Sequence, residues 1–294
     1  MGALWSTHMM TTLLWILIAI AVVSLVSLLL SRLSGLTNLL AIVLLVLVVT
    51  FYLVFTEFRT TQGAFVFLKF LTLAFSALVV AAFRFSREPP GWTRVALYLI
   101  LLFNILEAVG FEAFDISIGG TQRSSGGSVP NVLAGLALLF CQAGPAAIQR
   151  NSRSHVHYDL GVLWIVLYVL WNFTFVYGTN PPDRPTGEYS GVAVIHLVVP
   201  LLLMGRRGLL FAEMRLYSLF LVMAILLVVP FAPFVRATPE WYARTIADGL
   251  GWLNLVLALV LIVRQAYTHG HVGQNASALQ VVLRSFRGAR RRLP

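Results

Sequence analysis

"FVFLKFLTLAF", residues 65–75, is apolar at every position except Lys69 and Thr72. It lies in an apolar run over about 63–84, long enough at roughly 20 residues to cross a bilayer as one helix. A lone ammonium in such a run costs roughly 2.5–3.5 kcal/mol on insertion scales, so it is expected to face the interior of a bundle and meet a partner. Lys69 is the only lysine; the other twenty basic residues are arginines.

The same pattern repeats along the chain. Of 294 residues, 59% are hydrophobic and 11% charged, with mean hydropathy +0.86. A soluble domain carries roughly 25% charged residues. Nine apolar runs stand out, at about 10–31, 37–56, 63–84, 95–115, 130–149, 159–178, 190–205, 209–235 and 248–268. The expected fold is all-α, a polytopic membrane bundle of about nine transmembrane helices over 1–268, with a basic tail over 269–294. The short alternating segments of a β-barrel are absent. The seventh run is short and holds Pro200; the eighth carries Pro230 and Pro233, which predict a kink. The N-terminus lacks a basic n-region before its long apolar run, which predicts an uncleaved first span. A single cysteine, Cys141, excludes an intramolecular disulfide. No phosphate-binding glycine loop is present, so no ATP-driven pump and no cofactor are expected.

A net charge of +10 would suggest nucleic acid in a soluble protein, but here the arginines sit between the apolar runs. With nine spans, fifteen arginines fall on one side, among them Arg84, Arg150 and Arg215, and five on the other. The positive-inside rule then puts the C-terminus in the cytoplasm and the N-terminus outside. Moving the span count by one scrambles this alternation. The tail is expected to meet the anionic inner leaflet. Membrane lipids are thus the predicted partners, with no nucleic acid; a homo-oligomer is compatible with the sequence.

Oriented spans give depths at about 1.5 Å per residue. Lys69 falls ~9 Å and Glu107 ~11 Å below the outer end of their spans. Asn172, His196 and Asn254 each lie six residues in from the outer end of theirs, and Asn104 shares a helix face with Glu107 at i, i+3. These six are the candidate substrate- or ion-binding residues, with Lys69 expected to meet Glu107. Tyr168 shares a face with Asn172, and Trp171, Tyr177, Tyr189, Trp241 and Trp252 are expected in an interfacial belt. "HVHYD" (155–159) and "HGH" (269–271) have poor metal-ligand spacing, so no metal site is assigned. Cys141 reads as a buried, inert thiol.

"NILEA" (104–108) followed by "YVLWNFTFVY" (168–177) resembles a bacterial family of polytopic membrane proteins, a domain of unknown function, over about 60–268. Asn104, Glu107, Trp171 and Asn172 carry the likeness. It implies the same architecture in the inner membrane and points to the same polar residues, with no mechanism. The function expected is a transporter or channel for a small polar solute or ion, with Glu107 as the acid and Lys69 its counter-charge. The alternatives are a membrane enzyme acting on a lipid or lipid-linked substrate, and a sensor or assembly subunit.

Overall fold

The computed structural model describes residues 2–55, 61–86, 88–114, 122–123, 128–180, 187, 189–229, 241–268 and 276–281. Pro230, Pro233, His269, His271, Arg59, Arg87, Arg184, Arg236 and the tail arginines from 284 onward lie outside these residues.

Nine α-helices of 14 residues or more are present among the described residues. They are α1 (Gly2–Arg32), α2 (Gly35–Phe55), α3 (Thr61–Phe85), α4 (Gly91–Phe114), α5 (Ser128–Cys141), α6 (Val162–Tyr177), α7 (Ser190–Leu203), α8 (Phe211–Val228) and α9 (Arg244–Thr268). The all-α class is therefore as expected, whereas among the described residues six helices, not nine, are long and apolar enough to cross a membrane: α1–α4, α8 and α9. The other three are shorter apolar helices.

The clearest departure is the fifth run. A span over 130–149 was expected, but α5 stops at Cys141. The Gly144-Pro145 step disfavours helix at residue 144 and removes a backbone donor at 145. The chain instead makes a 3₁₀ turn at Pro145–Ala147 and an antiparallel hairpin, β2 (Ile148–Arg150) with β3 (Val156–Tyr158). Asn151 shapes its turn, with Oδ1 accepting the N–H groups of Arg153 at 2.9 Å and His155 at 2.8 Å. At the opposite end of the bundle, β1 (Gln122–Arg123) pairs with β4 (Thr179–Asn180).

Helices α3 to α8 form a closed ring in sequence order, since each packs on the next and α8 returns to α3. α1 lies outside against α7 and α8, α2 against α3 and α8, and α9 against α5 and α6. The outward faces are apolar: Leu44, Phe51 and Val54 of α2 are 62%, 64% and 71% exposed. Residues 276–281, expected to belong to a separate tail, fold back on the bundle. Gln265 Nε2 of α9 donates to the Cys141 carbonyl at 2.7 Å, and Ser277 Oγ lies 2.6 Å from Gln265 Oε1.

One buried arginine ties the hairpin end together. Arg84, 2% exposed, donates from Nε to Ser154 O in the hairpin turn, from Nη1 to Leu30 O and Tyr217 Oη, and from Nη2 to Ser31 O and Leu33 O. Three of these acceptors are carbonyls at and just beyond the end of α1, where intrahelical donors run out. Glu213 Oε1 of α8 lies 3.3 Å from Arg84 Nη1, and Glu213 Oε2 also accepts the Val156 N–H of β3 at 2.6 Å. Gly35 lets the start of α2 pack tightly on the end of α3 here: a Cβ at this position would sit 2.5 Å from Phe85 Cα.

Arg84→Met should lower stability by about 3–5 kcal/mol, because it strands a buried carboxylate and several carbonyls. Adding Glu213→Gln to it should recover part of the loss. Thermal unfolding in detergent checks this; a double variant as unstable as the sum of the two single changes would remove Glu213 from the account.

Candidate functional site

Lys69 of α3 and the Asn104–Glu107 face of α4 meet. Lys69 Nζ donates to Glu107 Oε2 at 2.5 Å and to Asn104 Oδ1 at 3.1 Å. The Lys69 side chain is 18% exposed and that of Glu107 38%. Pairing is the low-cost way to keep either charge in an apolar run, since each alone faces the full desolvation penalty.

Asn104 carries the network across the ring, donating from Nδ2 to Tyr168 Oη of α6 at 3.3 Å. There it reaches Arg215 of α8, which the sequence reading placed with the cytoplasmic loop arginines. Arg215 is instead 4% exposed inside the bundle. Its Nη2 donates to Asn172 Oδ1 at 2.6 Å, its Nη1 to the His196 carbonyl at 3.3 Å, and its Nε points at Tyr168 Oη at 3.5 Å. Arg215 Cζ also lies 5.7 Å from the centre of the Tyr168 ring. The bond to residue 196 has a local cause. Pro200 sits inside α7 and has no N–H to give to the carbonyl four residues back. The guanidinium supplies the missing donor. Arg215 is six residues into its apolar run, the same signal that marks Lys69, but the positive-inside pattern absorbed it.

Asn172 and His196 therefore join the Lys69–Asn104–Glu107 group through Arg215. All six of these residues line one chamber of about 120 Å³. His196 is 4% exposed, and neither of its ring nitrogens has a hydrogen-bond partner among the described residues. Asn254, expected in the same layer, is not in this chamber. Its Nδ2 donates to Asn131 Oδ1 of α5 at 2.8 Å and to Thr174 Oγ1 of α6 at 3.0 Å. Depth along a helix does not fix which way a side chain faces, and α9 packs outside the ring. Asn131 Nδ2 in turn donates to Glu112 of α4 at 2.9 and 3.1 Å, which makes this second cluster helix-to-helix glue. Trp171 and Tyr177, expected in the interfacial belt, are buried, with Trp171 Nε1 donating to Asn131 O at 3.0 Å; Trp252 is 61% exposed.

A second, larger cavity of about 990 Å³ runs along α3 and α4 and is floored by α8. Its walls are mostly apolar and include the outward-facing Leu71, Phe75, Leu99, Phe103 and Leu106. It shares Lys69, Asn104, Glu107 and Arg215 with the chamber. The other end of this cleft lies at the hairpin, beside Val156, Tyr158 and Glu213. There, His155 Nδ1 lies 3.4 Å from Glu213 Oε1, and Asn151 Nδ2 lies 2.9 Å from His157 Nε2. Among the described residues no three His, Cys, Asp or Glu side chains gather as metal ligands. Cys141 is buried, and its carbonyl takes the Gln265 bond.

The chain belongs to a family whose model, described as Family of unknown function (DUF5692), matches residues 6–281. No curated protein and no solved structure matches.

Two outcomes follow from the site. Lys69→Met and Glu107→Gln should each lower the melting temperature, and the double variant should fall short of their sum by roughly 1 kcal/mol. Strict additivity in that double-mutant cycle would dissolve the pair. At the hairpin, partial burial lowers the His157 imidazole below its ordinary range; His155 adds to this and Glu213 opposes it. The folded state then resists protonation while the unfolded chain accepts it, so the hairpin loses stability as pH falls below ~6.5. Protonation also removes the ring acceptor facing Asn151. Amide exchange over 148–158, corrected for its intrinsic rate, should accelerate between about pH 7 and about pH 5.5. His157→Gln should flatten that response.

Proposed function

We propose that the chain is a polytopic inner-membrane protein that takes an amphipathic, lipid-like substrate sideways from the bilayer into the cleft between α3 and α4. The observation that carries this reading is the cleft itself. It is long, apolar, open on the outward face of the bundle, and ends at an ion pair. A chain-shaped apolar body and one polar end are what such a cavity complements. A site for a small hydrated ion alone has no use for the apolar length.

The membrane assignment rests on the six long apolar helices and the exposed apolar faces. We read the three shorter helices as crossing too, giving nine spans. Part of the irregular backbone after α5 is covered by the bundle, with Ala147, Ile148, Val156 and Tyr158 buried, and a membrane tolerates irregular backbone where protein covers it. Taking Arg215 out of the fifteen inner arginines leaves fourteen against five, so the C-terminus remains on the cytoplasmic side. Transport of a small solute or ion is a second reading, favoured by the small chamber behind the ion pair. On that reading Glu107 is the exposed acid of the pathway.

Gly110 gives a clean test. It lines the cleft, and a Cβ there would meet nothing within 4 Å, so a larger side chain obstructs the cleft without crowding the helix. Native mass spectrometry of protein released from mild detergent should find a lipid-sized adduct on the wild type and its loss in Gly110→Phe. A wild type free of adduct that conducts small ions in liposomes, unaffected by Gly110→Phe, would overturn the lateral reading in favour of the second.

A further inference from the structure

We infer that the chamber behind the Lys69–Glu107 pair is an oxyanion subsite, built to hold a negatively charged phosphate-type group by Arg215, Lys69, Asn172 and His196. The inference rests on the lateral reading only for the source of the anion. The subsite itself follows from counting donors.

A guanidinium has five N–H groups. Arg84 spends all five on protein oxygens and has Glu213 at 3.3 Å. Arg215 spends three, and no carboxylate of the described residues lies within 4.0 Å of it. Lys69 uses two of its three donors, on Asn104 and Glu107. Among the described residues the Asn172 amide accepts from Arg215 through Oδ1 and makes no donor bond, and His196 keeps both ring nitrogens bare at 4% exposure. In either protonation state an imidazole offers at least one N–H. The chamber is therefore rich in unspent donors. Its only carboxylate among the described residues, Glu107, is taken by Lys69 at 2.5 Å. Two cationic side chains and one acid leave it one positive charge in excess. A buried charge without a counter-ion is costly, and so is a buried donor without an acceptor. One oxyanion relieves both, since its oxygens accept from a guanidinium in pairs. Nothing structural requires the bare imidazole, because no element hangs from its nitrogens.

Thermal shift on the full-length protein tests this with three probes: dioleoylphosphatidylglycerol, dioleoylphosphatidylcholine and inorganic phosphate. Phosphatidylglycerol should raise the melting temperature at a concentration at least tenfold lower than phosphatidylcholine does. That preference should shrink below threefold in Arg215→Lys and in His196→Leu. The second variant removes no protein hydrogen bond, so it keeps the test alive if the first folds poorly. Equal response to both lipids, unchanged by either variant, would overturn the subsite and leave the lateral cleft standing. Stabilisation by inorganic phosphate as strong as by phosphatidylglycerol, and indifferent to Gly110→Phe, would keep the subsite and overturn its lipid source. No shift with any probe would overturn both.

Discussion

The buried contact between Arg84 and Glu213 sets the rest of the bundle. Arg84 gathers the end of α1, the hairpin turn and α8 around one guanidinium, and Glu213 supplies the opposing charge. This fixes the rotation of α8. Residues two apart on a helix point roughly 200° away from each other. With Glu213 clamped toward Arg84 and β3, Arg215 is turned to the other side, toward α6 and α7. The same clamp holds α3 on α8, while α4 joins α3 higher up through Lys69 and Glu107. The space left between those two attachments is the apolar cleft. Its two ends are therefore both charged knots, one saturated and one not.

The sequence made the apolar helices legible because long uncharged runs leave a composition far from that of an ordinary soluble domain. It also made Lys69 and Glu107 legible, since a single charge in an apolar run has few ways to be accommodated. It hid the arginines. Arg84, at the end of a run, looks like an ordinary positive-inside residue; Arg215, six residues into its run, is counted with the neighbouring Arg206 and Arg207. The burial of Arg84 and Arg215 depends on tertiary partners: carbonyls at the end of α1 and the Glu213 carboxylate for one, and the carbonyl orphaned by Pro200 for the other. None of these partners is visible as a motif. Asn254 was misplaced for a related reason, because sequence spacing gives depth but not the direction a helix faces across a ring. The hairpin was hidden by its own apolar strands, which read as the continuation of α5 until the Gly144-Pro145 break is given its weight.

The contrast between the two arginines separates architecture from site. Each fills gaps in helical hydrogen bonding, so gap-filling alone cannot explain why they differ. Arg84 ends with every donor used and a carboxylate beside it, the condition under which a buried ion pair is tolerable. Arg215 ends with donors to spare, no carboxylate of the described residues beside it, and a bare imidazole across the chamber. A chamber shaped only to lock helices would gain by replacing that arginine with a neutral donor for the Pro200 carbonyl, and that histidine with a hydrocarbon. Keeping both, within reach of the open cleft, is what the proposed oxyanion subsite accounts for, since its missing acceptor would arrive from outside the chain.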